Sequence, residues 1–137
     1  MELHPAKSAS KGQPERFTGD VWVEMVASTP PSGTTAGIVR FAPGSRTAWH
    51  VHTHGQTLHI TEGAAIVQTR DGEALLARAG DTVYTPPGQW HWHGATTVQP
   101  MTHLALSGSA PDEQGSAVTW GEHVTDADYQ RVNAKSV

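Results

Sequence analysis

The chain of 137 residues contains no cysteine. That absence excludes disulfides, thiolate metal ligands and a cysteine nucleophile, and it leaves histidine, glutamine and carboxylates as potential metal ligands. No apolar run approaches the roughly 20 residues that a membrane-spanning helix needs, so we expect no membrane partner. Charged residues make up only 16%, no block of lysine and arginine occurs, and the formal net charge is −4. Nucleic acid is therefore not an expected partner either.

The N-terminal residues lack the apolar stretch of a secretion signal, which favours a cytoplasmic location. Residues 1–16 are polar and are predicted to form a flexible tail. Residues 17–137 then form one domain of common size, without an internal repeat.

Turn-forming residues are frequent, with 14 glycines and 9 prolines. They separate short segments of alternating or β-branched residues, a pattern typical of strands. The predicted strands are 21–26, 34–41, 46–52, 57–61, 64–70, 73–78, 82–85, 90–96 and 101–107, with turns at Glu62-Gly63 and Asp71-Gly72. A capping box that begins at Thr125 predicts one short helix, which runs through Val132. The fold class is therefore all-β, a barrel or sandwich.

Seven of the nine histidines lie between positions 50 and 103. His50 and His52 alternate, as do His91 and His93, and alternating residues of a strand point to the same face. Imidazoles that converge from two strands commonly hold a divalent transition metal. The sequence therefore predicts a metal site inside a small β-barrel.

Two spaced motifs surround these histidines. They are Gly44-x5-His50-x-His52-x3-Gln56-x6-Gly63 and Gly80-x5-Pro86-x-Gly88-x2-His91, with sixteen residues between them. The pair resembles the two motifs of the cupin superfamily, and the resemblance implies a single double-stranded β-helix, or jelly-roll barrel, with the short helix at its C-terminal end. Gln56 stands where the family usually has glutamate, and Ala95 where asparagine often ends the second motif.

A narrower resemblance runs from about residue 17 to residue 129. It is carried by residues 46–50, 55–58, 91–95, 101–105 and 122–126. These segments resemble a bacterial subgroup of small cupins that includes manganese-dependent (R)-selective hydroxynitrile lyases and carboxymuconolactone-decarboxylase-associated cupins. The resemblance implies a manganese site and a homodimer or higher homo-oligomer. It implies a reaction less directly, because one fold hosts many chemistries.

The predicted metal ligands are His50, His52, Gln56 and His91. All four are neutral, so a divalent ion would keep its full charge and act as a strong Lewis acid. Three imidazoles and one amide oxygen suit Mn²⁺, Fe, Co, Ni or Zn, and the sequence does not choose among them. The alternative is a barrel without metal, in which these histidines are hydrogen-bonded core residues.

Two further histidines are the predicted catalytic residues. His93 shares a face with His91, and His103 lies in the next strand. An imidazole with a pKa of about 6.5 can move a proton near neutral pH. The alternative is that both only orient a ligand through hydrogen bonds. His54 and His59 are expected to face solvent.

The remaining expectations concern the outer surface and the pocket. Trp49 and Trp92 alternate with the histidines and are predicted to pack outside the barrel, or across a subunit contact together with Trp22 and Trp120. The edge strand 17–26 is predicted to pair with a neighbouring subunit. The predicted pocket walls are Gly37, Val39, Leu58, Ile60 and Ala105.

The leading functional hypothesis is a metal-dependent lyase that cleaves or forms a carbon–carbon bond in a small molecule, with cyanohydrin cleavage as its concrete form. A second hypothesis keeps the metal and uses oxygen, as a small dioxygenase would. A third is a barrel that binds a small molecule without turnover.

Overall fold

A computed structural model describes residues 1–28, 32–108 and 117–136 of the chain. Most of these residues form strands, and a helix follows the last strand. The elements are β1 (Ser10–Lys11), β2 (Phe17–Thr18), β3 (Val21–Ala27), β4 (Thr34–Phe41), β5 (Arg46–Thr47), β6 (His50–His52), β7 (Gln56–Thr69), β8 (Ala74–Arg78), β9 (Thr82–Thr85), β10 (His91–Ala95), β11 (Met101–Gly108), β12 (Val118–Trp120) and α1 (Asp126–Ser136). The architecture is the expected all-β cupin barrel with one C-terminal helix.

The long strand β7 joins the two halves of the barrel. Its first half pairs with β11 and β9, and its second half pairs with β10 and β8. From β11 the sheet continues through β4 and β3 to β1, and from β10 it continues to β5 and β2, while β6 bridges β10 and β12. The inner faces of both halves enclose one apolar core, to which Phe41, Leu58 and Ile60 contribute.

The predicted turn at Glu62-Gly63 is instead a bend within β7. Gly63 has a φ of 73°, and a Cβ there would lie 1.8 Å from the carbonyl oxygen of Pro100. Glycine allows both the left-handed backbone and this close approach, so the strand bends without ending. By contrast, the predicted turn at Asp71-Gly72 does separate two strands, and Gly72 has a φ of 100°.

Helix α1 packs against the outside of the barrel and runs four residues beyond the predicted end. Its N-terminus is capped as predicted, because Thr125 Oγ1 accepts a hydrogen bond from the Asp128 amide at 3.1 Å. Arg46 in β5 donates to Asp126 Oδ1 at 2.7 Å, and the hydroxyl of Tyr129 donates to the Ala95 carbonyl at 2.5 Å. Beneath the helix lies a second apolar cluster, made of Ile66, Trp92, Val124, Tyr129 and Val132.

A short piece of the predicted tail lies on the sheet, because Ser10–Lys11 pairs with β3. Phe17–Thr18, at the start of the predicted domain, pairs with β5. On the outer face of β3, Trp22 is 46% exposed and Val26 is 43% exposed, and the pairing of this strand with another subunit stays a prediction. Among the described residues, no helix combines the length and the hydropathy that crossing a bilayer requires.

Candidate metal centre

Strands β6 and β10 place the two histidine pairs opposite each other. The strands are antiparallel, with His91 in register with His50. The ring centroids of His50 and His91 are 4.4 Å apart, and those of His50 and His93 are 5.0 Å apart. His52 follows on the same strand, 5.2 Å from the His50 ring. The alternation in sequence therefore produces one cluster of four imidazoles inside the barrel.

Backbone carbonyls set the orientation of two of these rings. His50 Nδ1 lies 3.0 Å from the Ala48 carbonyl oxygen, and His91 Nδ1 lies 2.9 Å from the Gln89 carbonyl oxygen. A carbonyl can only accept, so Nδ1 of each ring carries the proton and donates it. Nε2 of each ring is then left with a free lone pair, which is the state that binds a metal.

His52 and Gln56 complete the inner surface of the cluster. His52 Nδ1 lies 3.2 Å from the Ser107 hydroxyl, and its Nε2 is buried without a hydrogen-bond partner. Gln56 Oε1 lies 2.9 Å from His91 Nε2. The side-chain amide of Gln56 is therefore next to the Nε2 lone pair of His91, and the amide oxygen and this lone pair are both groups that a shared cation could bind.

Three of the imidazoles meet the geometric requirement for a shared ligand. His50, His91 and His93 each offer a nitrogen, and these nitrogens lie within 4.8 Å of one another. Two of them, His50 and His91, were predicted as metal ligands, whereas His93 was predicted as a catalytic residue. The assignment of His52 and Gln56 as ligands and of His93 and His103 as catalytic stays a prediction.

All of these imidazoles are held in the neutral form. Burial lowers the pKa of His50 well below its usual value, and repulsion from His91 lowers it further. Burial also lowers the pKa of His91, and it lowers that of His52 to about 4. Neutral imidazoles can donate their lone pairs to a metal at neutral pH. Buried nitrogens without partners are costly, so this donor set fits a divalent cation.

His93 and His103 form a pair behind the cluster. His103 Nε2 lies 3.1 Å from His93 Nδ1, while His93 Nε2 and His103 Nδ1 are buried without partners. Phe41 packs on both rings, with centroids 6.1 and 5.3 Å away. Burial lowers the pKa of His93 well below its usual value, with repulsion from His103 as the next cause, and burial lowers the pKa of His103 to about 4. The pair is a hydrogen-bonded path along which a proton can move.

The structure also brings residues to the site that the motifs did not indicate. Trp120 in β12 packs against His50, with ring centroids 4.7 Å apart, although it was predicted at an outer contact. Ser107 reaches His52 from β11. The other two histidines of this region lie outside the cluster, since His54 is exposed and half-buried His59 pairs with the Thr82 hydroxyl at 2.9 Å. No local pattern marks Trp120 or Ser107, because their contacts depend on strand pairing.

The fold and site define a small β-barrel protein with a histidine cluster inside. The model of the cupin domain matches residues 37–107, and the chain belongs to the cupin family. It is 42% identical over 127 residues to the (R)-mandelonitrile lyase of Granulicella tundricola, a match that covers 92% of this chain and 95% of that enzyme.

Two further relatives match this chain over different fractions of its length. The crystal structure of a cupin-like protein from Thermotoga maritima has a TM-score of 0.84 and 33% identity, and the match covers 96% of this chain and 97% of that one. A gentisate 1,2-dioxygenase from a Ralstonia species is 35% identical over 68 residues, which is 50% of this chain and 19% of that enzyme. The likeness to the lyase thus spans the whole barrel, whereas the likeness to the dioxygenase spans part of it.

Proposed function

We propose that this protein is a metal-dependent lyase that cleaves a cyanohydrin to a carbonyl compound and hydrogen cyanide. The observation that carries the proposal is the position of His93. Its Nε2 is buried without a hydrogen-bond partner among the described residues. His93 also shares the three-histidine arrangement with His50 and His91, and its Nδ1 is hydrogen-bonded to His103. The similarity to (R)-mandelonitrile lyase along most of both chains supports this class of reaction.

We propose His50, His52, Gln56 and His91 as the residues that hold the metal. The unpartnered Nε2 of His52 and the 2.9 Å approach of Gln56 to His91 support their inclusion. The resemblance of the motifs to manganese-dependent lyases favours Mn²⁺, and Fe, Co, Ni and Zn suit the same donors. Such an ion would act as a Lewis acid on the substrate hydroxyl and lower its pKa.

His93 would carry the proton through the reaction. Its Nε2 accepts the proton of the substrate hydroxyl, and the bond to the nitrile carbon breaks as the carbonyl forms. The leaving cyanide carries the electron pair and takes the same proton from His93, so hydrogen cyanide departs and the imidazole is again neutral. The imidazole starts neutral because burial lowers its pKa, and it is therefore ready to act as the base.

His103 and Phe41 would support this step without touching the substrate. His93 Nδ1 donates the 3.1 Å hydrogen bond to His103 Nε2, which orients the His93 ring and leaves its Nε2 free to accept a proton. Phe41 covers both rings with an apolar face. Exclusion of water from the pair keeps the His93 imidazole neutral before the reaction, because burial lowers its pKa.

The direct test is the release of benzaldehyde from mandelonitrile by the purified protein, before and after treatment with a chelator. We expect activity that falls to background after chelation and returns with Mn²⁺. The His93→Ala variant should lose about 10²–10⁴-fold in rate while it keeps its metal, as removal of a proton carrier does. Activity that survives complete removal of the metal would refute the mechanism.

The same preparations separate the other hypotheses. The partial match to gentisate 1,2-dioxygenase makes oxygen uptake with gentisate by the iron-loaded protein the matched assay. Oxygen uptake without mandelonitrile cleavage would favour a dioxygenase. Binding of a small molecule without either reaction would favour a non-catalytic barrel.

A further inference from the structure

A cavity lies where the N-terminal segment crosses the barrel. Its volume is about 330 Å³, at the lower end of the roughly 300–1,000 Å³ typical of ligand pockets. The apolar part of its wall is Phe17, Val23, Met25 and Trp120. We call it the mouth cavity. A space of this size and polarity suits a molecule with a single apolar group about as large as a ring.

The mouth cavity adjoins the histidine cluster through two aromatic side chains. Trp120 lines the cavity and packs against His50. Phe17 lines it as well, and its ring lies 6.0 Å from that of Trp120 and 6.3 Å from that of Phe41. A molecule bound in the cavity would therefore lie one aromatic side chain away from the cluster.

Arg16 places a positive charge on the cavity wall. Its guanidinium carbon lies 5.4 Å from the centroid of the Trp120 ring, and within residues 1–28, 32–108 and 117–136 it forms no ion pair. The second cation of the wall, Lys11, already faces Asp20 at 3.5 Å. The backbone holds Arg16 in place, because its carbonyl accepts a hydrogen bond from the Ala48 amide at 2.8 Å.

Arg16 is a charged group on the cavity wall that lacks an ion-pair partner among the described residues. Its guanidinium offers N–H groups only, so a ligand that satisfies it must supply acceptor oxygens, and its charge favours an anion. The indole Nε1 of Trp120 is buried, so Trp120 contributes its ring to the apolar part of the wall.

We propose that the mouth cavity binds a small carboxylic acid with one ring-sized apolar group. The carboxylate pairs with Arg16, and the apolar group lies between Phe17, Val23 and Met25. Arg16 then selects acids over neutral molecules of the same shape. This binding site goes beyond the proposed lyase reaction and stands on its own observations.

Calorimetric titration with phenylacetate and with phenylacetamide tests the proposal, because the two probes share a shape and differ in charge. We expect the purified protein to bind phenylacetate at least about tenfold more tightly than the amide, as a charged hydrogen-bond pair implies. The Arg16→Gln variant should lose this preference. Arg78→Gln is the matched control, since Arg78 is exposed on β8, does not line the cavity and changes the net charge equally.

Two further measurements locate the bound probe. Met25→Trp fills the cavity with apolar bulk and leaves Arg16 intact, so both probes should bind less. The titration is repeated after chelation, because a carboxylate could also bind a metal directly. The proposal is overturned if Arg16→Gln binds phenylacetate as Arg78→Gln does, if Met25→Trp binds both probes unchanged, or if chelation alone abolishes binding. Each of these results concerns phenylacetate binding alone and does not bear on mandelonitrile cleavage by the metal-loaded protein, which is assayed separately.

Discussion

His52 and His93 are the same chemical group in two different surroundings. The Nδ1 of His52 faces a hydroxyl, that of Ser107, and its ring is half-buried near the end of β6. The Nδ1 of His93 faces a second imidazole, that of His103, and its ring is fully buried beside Phe41. The Ser107 hydroxyl can orient the His52 ring while Nε2 stays free for a metal, whereas the imidazole partner of His93 has a similar basicity and can share a proton with it. The surroundings therefore favour metal binding at His52 and proton transfer at His93.

Substitution by alanine should separate these two roles. We expect His52→Ala to lose most of its bound metal, because one of the proposed ligands is gone. His93→Ala should keep its metal and lose the reaction, because it lacks only the proton carrier. Metal content by elemental analysis, measured beside mandelonitrile cleavage, provides the readout.

His59→Ala serves as the control, since His59 lies outside the cluster and pairs with Thr82. It should keep both the metal and the activity. The reverse pattern, with metal lost in His93→Ala and kept in His52→Ala, would show that the ligand set is His50, His91 and His93.

At the scale of elements, the bend in β7 lets one strand pair with neighbours in both halves of the barrel. One strand of 14 residues serves both halves of the barrel, and it changes direction near Gly63. The carbonyl of Pro100 occupies the space where a side chain would begin. The bend therefore requires glycine for two reasons. The backbone is left-handed at this position, and the chain at Pro100 and Met101 leaves no room for a Cβ.

Gly63→Ala should destabilise the protein by about 3 kcal/mol or more, because the strained backbone and a steric clash add together. Gly80→Ala is the matched control. Gly80 has a φ of 97°, and a Cβ there would meet nothing within 4 Å, so only the backbone cost of about 1–2 kcal/mol applies. Urea denaturation of both variants gives the comparison. Equal losses of stability would show that the contact with Pro100 relaxes at no cost.

At the scale of the whole molecule, the barrel holds five imidazoles in the neutral state, four of them buried and one, His52, half-buried. They are His50, His52, His91, His93 and His103, and burial is the largest cause of the lowered pKa at each. In the unfolded chain these histidines have a pKa near 6.5. The unfolded state therefore binds more protons than the folded state as the pH falls below that value.

The metal-free protein should consequently lose stability on mild acidification. Between pH 7.5 and pH 5.5 each buried histidine should lower the free energy of unfolding by up to about 1.4 kcal/mol. For His52 and His103 the loss continues until the pH reaches their folded pKa of about 4. Urea denaturation at several pH values, after chelation, measures the slope.

Two variants identify the source of this pH dependence. His103→Leu keeps an apolar group beside Phe41 and should reduce the slope, since one titrating site is removed. Val98→Ala removes an exposed side chain that does not titrate and should leave the slope unchanged. A slope that is the same in the wild type and in His103→Leu would contradict the role of burial.

Much of the fold and part of the site followed from local patterns. Alternation predicted that His50 and His52 share a face, and glycine and proline marked most of the strand ends. The capping box located the start of α1. The main error in the strand prediction concerned Gly63. A glycine in the left-handed region commonly marks a hairpin turn, so two strands were predicted there. In the structure Gly63 packs against Pro100, and one strand continues through it.

The sequence by itself determined the all-β class and the shared faces of the paired histidines, because these depend on the spacing of residue types and on the two-residue period of a strand. The tertiary structure alone decided which distant groups meet. Ser107 reaches His52 across 55 positions, His103 reaches His93, and Trp120 covers His50 beside the mouth cavity. These contacts arise from the pairing of strands far apart in the chain, and no local spacing encodes that pairing.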